Sequence, residues 1–446
     1  MLERYAPGLN PRNFKLFEKT EELLDLQPSF QLTIFTQFYP PDFAATGQLI
    51  EELAIQLGRL GTTVQVFTGQ PGYAFRNSSA PAKERNHKVS VQRSRTSRLY
   101  PARIRGKAVN GLLFFLRCLL HIIKNAGCGD VLLLTSAPPF LPIVGYFAKL
   151  FFGTPYICLL YDLYPDVAVE LNVVSRKHIL VRLWDWVNKQ VWKQADGVIV
   201  LSSTMKERVQ TKCPEISNKI SVIHNWANPD LIKPIAKHNN WFALKHDLVE
   251  KFTVLYSGNM GRCHEMDTIL EAAVQLQDEP VQFVFIGAGA KQQSCLAKVK
   301  KLGLSNCQFL PYQDKQNLPY SLTACDLSLV SISSGMEGVV APSKLYGILA
   351  AARPVAAICE ENSYLRSLIS KARCGAAFNN EDSDGLAAFI RRLVNNDYLA
   401  QQMGNAGRSY LENHFTPEII AKQYSKVLKS VVVEHTTTLT QRKIVN

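Results

Sequence analysis

Three polar turns in the second half of the chain carry residue types that bind phosphate groups. Each turn follows an apolar run long enough for a buried strand, and these runs begin at Thr253, Val281 and Asp326. Glycine lets the backbone approach a ligand closely, and N–H groups at a helix start attract anions. The turns contain Ser257, Gly258, Asn259 and Gly261, then Gly287 and Gly289, and last Pro342, Ser343 and Lys344 at a predicted helix start. Parallel strands end at one edge of a sheet, so these turns predict one pocket for a phosphate-bearing nucleotide.

Alternating strand and helix patterns along both halves of the chain would position these turns. In the first half, strands are predicted at 31–38, 64–69, 130–135, 155–162, 197–202 and 220–225. The polar stretch 227–240 interrupts the alternation, which resumes at Phe252. Repeated strand–helix units form parallel sheets with right-handed crossovers. The predicted fold class is therefore α/β, with two doubly wound, Rossmann-like domains facing a cleft.

This pattern divides the chain into six predicted segments. They are a poorly ordered N-terminal segment at 1–27, an N-terminal domain at 28–228, a linker at 229–250, a C-terminal nucleotide-binding domain at 251–415, a helix packing back on the N-terminal domain at 416–434, and a tail at 435–446.

Composition is typical of a large enzyme of the cytoplasm. The chain has 446 residues, of which 47% are hydrophobic, enough for about two or three domains with real cores. Its N-terminus lacks the hydrophobic region of a signal peptide, and no uncharged apolar run reaches the ~20 residues that span a bilayer. The ten cysteines are scattered, without a C-x-x-C pair or a Cys/His cluster at metal-ligand spacing. We therefore expect reduced thiols and no metal site.

The net charge of +13 indicates an anionic partner. We expect no nucleic acid, because the chain shows no helix-turn-helix, RNA-recognition motif or zinc finger. Basic residues beside an apolar helix favour an anionic membrane surface, and hence a peripheral position on the inner face of the cytoplasmic membrane. A solvated basic loop leading into a core helix is an equally good interpretation. The basic run comprises Arg93, Arg95, Arg98, Arg103, Arg105 and Lys107, before the apolar segment 111–123.

Several motifs carry a family resemblance as a set. They are TVLYSGNMGR at 253–262, FVFIGAGA at 283–290 and APSKLYGILAAARPVA at 341–356, with FYPPDFAATGQ at 38–48 and LYDLYPDVAVELNVV at 160–174 in the first half. Across about residues 31 to 430 the chain resembles the retaining glycosyltransferases of the GT-B fold, of the GT4-like kind. Within them it is most similar to bacterial exopolysaccharide enzymes of the colanic-acid type.

The resemblance implies transfer of a sugar from a nucleoside-diphosphate sugar, with retention and with neither a metal ion nor a cofactor. The C-terminal domain would hold the donor, and the N-terminal domain a glycan or polyprenyl-linked acceptor. Negative charge builds on the leaving diphosphate, so fixed cations must stabilise it. We assign this catalytic role to Lys344 and Arg262, the latter as a guanidinium suited to phosphate. An exposed helix lysine and a surface-loop arginine are the alternative interpretations.

The chain departs from the family pattern at three donor-site positions. Relatives carry two glutamates spaced E-x7-E, but Val339 and Gly347 occupy these positions here. Glu337 lies two residues before the first and is a possible substitute in donor binding. A lysine common in the family is His264 here, which would bind phosphate more weakly unless the phosphate raises its pKa. The residue that replaces the two glutamates is therefore open.

Three residues of the first half complete the predicted site. Gly47 lies where the family's first-strand loop approaches the donor phosphates, although turn geometry explains a glycine there equally well. Asp162 and Asp166 follow a predicted buried strand, and either carboxylate is suited to orienting or deprotonating the acceptor hydroxyl. Capping of the next helix is the competing interpretation. The tryptophans Trp184, Trp186 and Trp192 are predicted to pack in the core.

Two other functions fit the same sequence. A nucleotide-sugar epimerase with the GT-B fold would act on the donor without an acceptor. A non-catalytic nucleotide-sugar-binding partner of another transferase is consistent with the two missing glutamates. The motifs identify neither the nucleotide, the sugar, the acceptor nor the linkage.

Overall fold

The computed structural model describes residues 30–42, 44–71, 80–94 and 104–445, so the predicted segment 1–27 lies outside the described residues. Within this part, the first half of the chain forms an eight-stranded sheet in the order β3-β4-β2-β1-β5-β6-β7-β8, parallel except for β3. Its strands are β1 (Gln31–Phe35), β2 (Thr63–Thr68), β3 (Lys83–Asn86), β4 (Val89–Arg93), β5 (Val131–Thr135), β6 (Tyr156–Leu160), β7 (Gly197–Val200) and β8 (Ile220–Val222). Its helices are α1 (Ala45–Arg59), α2 (Ile104–Lys124), α3 (Ile143–Phe152), α4 (Asp166–Glu170), α5 (Ile179–Gln194) and α6 (Ser203–Lys212).

The second half forms a six-stranded parallel sheet in the order β11-β10-β9-β12-β13-β14. Its strands are β9 (Phe252–Ser257), β10 (Val281–Ile286), β11 (Cys307–Leu310), β12 (Leu327–Ser331), β13 (Val355–Ile358) and β14 (Gly375–Phe378). The remaining helices are α7 (Trp241–Lys245), α8 (Asp267–Gln275), α9 (Gln292–Leu302), α10 (Leu318–Thr323), α11 (Lys344–Ala350), α12 (Tyr364–Ala372), α13 (Ser383–Val394), α14 (Asp397–His414) and α15 (Pro417–Val445).

Continuous apolar strands explain why both sheets lie between helix layers. Every residue of β5 and of β10 is buried, as expected for parallel strands covered on both faces. Right-handed crossovers place α1 on one face of the first sheet and α2, α3 and α5 on the other. The prediction of two Rossmann-like α/β domains is confirmed.

Trp192 on α5 is buried as predicted. Trp186 on the same helix is 59% exposed, which corrects the prediction that it packs in the core. No helix in the described part of the chain is long and apolar enough to cross a bilayer.

The sequence did not predict the antiparallel hairpin of β3 and β4 at the edge of the first sheet. Arg93 ends β4 with a side chain that is 1% exposed, and its Nη2 lies 2.7 Å from Glu84 Oε1 and 2.6 Å from Pro40 O. Arg93 therefore belongs to the fold and not to a basic surface, which corrects its place in the basic run. Arg95, Arg98 and Arg103, like the side chains of Arg105 and Lys107, lie outside the described residues.

The predicted linker and tail contain more structure than their polar sequences indicate. Within 229–250, α7 buries Phe242 and Ala243, which pack with Leu248 and Leu255 in the C-terminal domain. From His435 the structure continues α15 to Val445 instead of forming a loosely ordered tail. There Thr436 and three further threonines each donate a hydroxyl hydrogen bond to the carbonyl four residues earlier, which local composition did not predict.

The C-terminal helix α15 returns to the N-terminal domain. Its residues pack against α1, and Gln56 Nε2 donates a 2.8 Å hydrogen bond to Glu418 Oε1. Tyr424 is fully buried in the core shared with the first sheet, so the two domains are joined by packing as well as by the linker.

Candidate functional site

The turns after β9 and β10 lie against each other at one edge of the second sheet. Gly258 N–H donates to Ile286 O at 2.8 Å, and Met260 N–H donates to Ala288 O at 2.8 Å. Gly287 and Gly289 have φ values of +129° and +155°, and an added Cβ would approach the carbonyl oxygens of the neighbouring turn to 2.2 and 2.4 Å. These two glycines are thus required for the packing of the turns on each other, rather than for a direct approach to a ligand.

Lys344 reaches this pair of turns from the start of α11. Its Nζ is buried beneath the surface, and among the described residues it finds no hydrogen-bond partner. The ammonium lies 3.7 Å from the centroid of the Tyr256 ring and beside Gly258. Burial lowers the pKa of Lys344 to about 7, because the Tyr256 ring replaces only part of the hydration that the ammonium loses. A buried ammonium with free hydrogen-bond donors at the end of β9 is suited to binding an anion.

Apolar packing holds α11 in the position that aims Lys344 at the turns. Leu345 and Leu349 are fully buried, and Pro342 before the helix is buried as well. Ser343 is half-buried and makes no capping hydrogen bond within the described structure. We therefore assign the anion attraction to the Lys344 side chain and not to the short helix.

His264 and Lys291 are the nearest other basic groups. His264 Nδ1 lies 2.9 Å from Ser331 O, so this nitrogen carries the proton and Nε2 is the acceptor. Burial, and then repulsion from Lys344, lowers the pKa of His264 to about 3. Lys291 Nζ donates to His264 O at 2.7 Å. The sequence analysis missed Lys291, although its place just after GAGA, at the end of β10, was a usable signal.

The remaining residues of the first turn are exposed or half-buried, apart from Met260. Arg262 is exposed, and in the described structure it makes no ion pair. Ser257 is half-buried at the end of β9, while Asn259 is exposed and its carbonyl accepts a 3.0 Å hydrogen bond from Tyr256 OH. Gly261 follows two residues later, and an added Cβ there would lie 2.9 Å from Asn259 Nδ2.

Asp162 faces this turn from the N-terminal domain. It follows β6, and Ser136 Oγ accepts its N–H at 3.3 Å. Burial raises the pKa of Cys263 on the other side of the cleft, and the negative charge of Asp162 raises it further. Asp162 keeps contact with solvent, yet protein surrounds it closely enough to raise its own pKa to about 6. Asp162 thus lies near Cys263, which stands between Arg262 and His264 in the sequence, and His264 in turn lies near Lys344.

The loop before α11 spans the two domains. Leu163 N–H donates to Val339 O at 3.0 Å, and Asp162 forms a bridge with Val340. Gly338 has φ +71°, and an added Cβ would lie 2.7 Å from Thr204 O. Val339, at the position of the family's first glutamate, thus forms a main-chain hydrogen bond between the two domains.

Glu337 lies in the same interface rather than at the pair of turns. Its Oε1 accepts a 2.6 Å hydrogen bond from Thr204 Oγ1 and a 3.4 Å bond from the Tyr364 N–H. Its Oε2 is buried without a hydrogen-bond partner in the part of the chain described here. These contacts connect α6 to α12, so Glu337 helps to hold the domains together, and its role in donor binding stays a prediction.

Asp166 and Gly47 also have structural explanations. Asp166 is buried in an ion-pair cluster with Lys212 and Arg208, and its side chain does not cap α4. These ion pairs explain a buried carboxylate at this position without a catalytic role, and the predicted catalytic role of Asp166 stays a prediction. An added Cβ at Gly47 would lie 3.0 Å from the backbone of Phe38 and Tyr39, so glycine allows α1 to approach the loop after β1.

Asp382 and Asp384 form an Asp-Ser-Asp sequence, a spacing that resembles a metal-binding motif. Asp382 Oδ1 accepts the Gly385 N–H at 2.9 Å as the cap of α13, and Asp384 Oδ1 accepts from Gln275 at 2.7 Å. Over the described ranges, no group of three or more His, Cys, Asp or Glu residues is arranged to hold a metal ion.

Two family models match the two halves of the chain. Residues 242–410 match "Glycosyl transferases group 1", and residues 46–231 match "Glycosyltransferase Family 4". WbjE of Pseudomonas aeruginosa, described as a glycosyltransferase, is 26% identical over 319 residues, which are 71% of this chain and 78% of that protein. WcaI of Escherichia coli K12, described as a colanic acid biosynthesis glycosyl transferase, is 28% identical over 233 residues, 51% of this chain and 56% of that protein.

A solved structure shares the architecture. HepE of Anabaena in complex with UDP-glucose superimposes with a TM-score of 0.67 at 15% identity, covering 90% of this chain and 100% of that one. The Family 4 match falls on the parallel-sheet domain that carries Asp162, and the group 1 match falls on the domain that carries Lys344. The chain therefore has the GT-B fold, and its N-terminal and C-terminal halves match the Family 4 and group 1 glycosyltransferases respectively.

Proposed function

We propose that this glycosyltransferase moves a sugar from a nucleoside-diphosphate sugar to a glycan or lipid-linked acceptor, with retention and without a metal ion. The product would be a bacterial surface polysaccharide. The observation that carries the proposal is Lys344, whose buried ammonium has no hydrogen-bond partner among the described residues and lies beside the turn after β9.

The donor side requires a group that stabilises charge on the leaving diphosphate. A free ammonium in a region of low dielectric attracts an anion strongly, and the attraction grows as the glycosidic bond breaks. Arg262, exposed at the mouth of the same turn, would contact the outer phosphate oxygens. Lys291 would act indirectly by fixing the His264 loop through its 2.7 Å hydrogen bond. The complex of HepE with UDP-glucose supports a nucleotide sugar as the anion.

The acceptor side requires a carboxylate that faces the donor across the cleft. Asp162 would be this carboxylate. Its pKa of about 6 leaves it ionised at neutral pH, but basic enough to accept the proton of the acceptor hydroxyl. Retention then follows if the acceptor hydroxyl attacks from the face that the diphosphate leaves, with no covalent intermediate. The printed descriptions of WbjE and WcaI support a polysaccharide pathway.

A ligand screen tests the donor assignment directly. Binding to the folded state alone raises the melting temperature by mass action, so one of UDP-, GDP- and ADP-sugars should stabilise the protein by several degrees at saturation. Lys344→Met should lose most of this stabilisation. A second incubation of the selected donor without acceptor should leave it unchanged, whereas interconversion of the donor sugar would identify an epimerase. Failure of all three sugar classes would contradict the donor site.

We also expect transfer to continue in EDTA. Lys344 and Arg262 already supply positive charge where the diphosphate would lie, so a divalent ion is not required to neutralise the leaving group. The rate of product formation should change less than about twofold after chelation and dialysis. Removal of a group that stabilises the leaving diphosphate would lower the rate far more. Complete loss that Mg²⁺ restores would contradict this part of the proposal.

A further inference from the structure

Helix α11 carries two side chains that extend to opposite sides of its axis. Residues two apart in an α-helix are separated by about 200° around that axis. Lys344, the first residue of α11, reaches the turn after β9, whereas Tyr346 reaches the segment that follows β8. Tyr346 is 1% exposed, so its ring is surrounded by other groups. The rotation of α11 about its axis therefore sets the positions of both side chains together.

Tyr346 packs among aromatic rings where the two domains meet. Its ring is nearly perpendicular to that of Phe415, with ring centres 5.1 Å apart. The His224 ring lies 5.3 Å from the Phe415 ring and 6.1 Å from the Tyr364 ring. We name these four residues the aromatic cluster. His224 follows β8 in the N-terminal domain, whereas Tyr346 and Tyr364 lie on α11 and α12, so the cluster joins the two domains.

One hydrogen bond within the aromatic cluster connects the domains directly. Tyr346 OH lies 3.2 Å from His224 Nδ1. Burial lowers the pKa of His224 to about 4, the hydrogen bond to Leu201 O opposes this shift, and the charge of Lys371 adds to it. The imidazole is therefore neutral near pH 7 and carries one N–H. Since a carbonyl oxygen only accepts, that N–H donates to Leu201 O, and the Tyr346 hydroxyl donates to Nδ1.

This hydrogen bond gives α11 a fixed rotation that apolar packing alone does not give. Leu345 and Leu349 bury α11 within the C-terminal domain. Apolar burial has no preferred direction, whereas a hydrogen bond weakens steeply when its angle changes. The bond to His224 therefore orients the helix, and it does so relative to the N-terminal domain.

We propose that His224 is a positioning residue for sugar transfer, which holds the Tyr346 hydroxyl and thereby keeps Lys344 beside the turn after β9. This inference rests on the proposed role of Lys344 and extends it to a residue of the other domain. Because His224 belongs to the domain that carries Asp162, the bond also places Lys344 relative to the acceptor side. His224 and Tyr346 are 122 residues apart, so no local pattern in the sequence indicates the pair.

The first test removes the hydroxyl and keeps the ring. Tyr346→Phe should lower kcat by about ten- to a hundredfold, the scale for a small displacement of a catalytic group. The KM for the donor should change less, because the contact of Lys344 with the diphosphate is strongest in the transition state. His224→Leu should give a similar loss. His224→Asn should recover much of the activity, since its amide oxygen can accept the hydroxyl in place of Nδ1.

A double-mutant cycle shows whether this bond acts through Lys344. In a Lys344→Met background, Tyr346→Phe should change kcat/KM by less than about twofold, because the side chain that it positions is already absent. The same loss in both backgrounds would mean that Tyr346 supports activity independently of Lys344, and it would overturn the proposal.

The matched control removes a second hydroxyl from the aromatic cluster. Tyr364 OH is buried, and in the described structure it has no hydrogen-bond partner. Tyr364→Phe should therefore keep parental kinetics, and circular dichroism should show that all variants are folded. Equal losses in Tyr364→Phe and Tyr346→Phe would reduce the cluster to a packing unit and contradict the role of His224. If Tyr346→Phe folds poorly, His224→Leu tests the same bond from a half-buried position.

Hydrogen exchange measured by mass spectrometry gives a readout that needs no nucleotide sugar. Tyr346→Phe and His224→Leu should speed amide exchange in α11, while β10 stays as protected as in the parent. Unchanged exchange in α11 would overturn the proposal even if activity falls. Faster exchange in a protein that binds no nucleotide sugar would show that His224 holds α11, and would overturn both the proposed function and the part of His224 in it.

Discussion

Replacing Lys344 by Met should lower kcat/KM by about 10²–10³-fold and should at the same time make the protein more stable. The activity falls because the leaving diphosphate loses its buried counter-charge. Stability rises because the free protein holds a buried ammonium that has no hydrogen-bond partner in the described structure, and methionine carries no such desolvation cost. We expect the melting temperature to rise by about 2–5 °C at neutral pH. Steady-state kinetics and thermal unfolding of the two purified proteins measure both effects.

The pKa of Lys344 gives this prediction its pH dependence. The folded-state pKa of about 7 lies below the ordinary lysine value, so the unfolded chain binds more protons between the two values. The stability advantage of Lys344→Met is therefore full below about pH 7 and disappears as the pH approaches about 10. Donor binding has the opposite requirement, because it needs the ammonium. Above about pH 7 the affinity of the parent should fall up to tenfold per pH unit.

Lys344→Arg is the matched control for charge. A guanidinium stays protonated throughout this range, so its donor affinity should show no dependence on pH near 7. Activity should recover only in part, because the planar group differs in shape from an ammonium. A loss of less than about threefold in Lys344→Ala, far below the effect of one charge-stabilising group, would contradict our placement of the diphosphate.

Replacing Asp162 by Asn should lower kcat/KM by about 10²–10⁴-fold, the range for removal of a general base. The parent should also lose activity below about pH 6, by up to tenfold per pH unit, because the carboxyl group becomes protonated there. This acidic limb should be absent from the residual activity of the variant. Rate measurements across pH with a saturating donor would show both effects.

The variant Asp166→Asn tests whether activity depends on Asp162 as the general base or on any carboxylate that follows β6. It breaks the ion pairs of Asp166 with Lys212 and Arg208, so it should lower the melting temperature. The activity of the folded fraction should stay near that of the parent, with the acidic limb intact. Equal catalytic losses in the two variants would argue against Asp162 as the base.

The sequence predicted the second sheet and its turns well, because the signals there are local. Apolar runs such as VQFVFI are buried on both faces, and each is followed by a turn with glycine where φ is positive. The order of strands and turns along the chain then requires the turns of β9 and β10 to meet at one edge. The prediction that Lys344 lies at this edge rested on the same reasoning.

What the sequence could not predict depends on contacts between distant segments. The acceptors of Lys212 include Asp166, 46 residues away, and a local pattern cannot distinguish that ion pair from a free carboxylate. Glu337 meets Thr204 across the domain interface, 133 residues away. The same limit applies to Lys344, whose burial beneath Tyr256 changes an ordinary exposed lysine into an unpaired internal cation. Its effect on stability therefore has the opposite sign from that of a surface residue.

The return of α15 to the N-terminal domain sets the freedom with which the cleft can open. The chain crosses between the domains near Ala227 and again after Phe415, and Ala227 N–H donates a 3.3 Å hydrogen bond to Phe415 O. One crossing would act as a swivel, whereas two adjacent crossings restrict relative rotation and favour a hinge through that point. Any opening of the cleft would then be a rotation about this hinge. A chain cut before Pro417 would keep one crossing and lose this restriction.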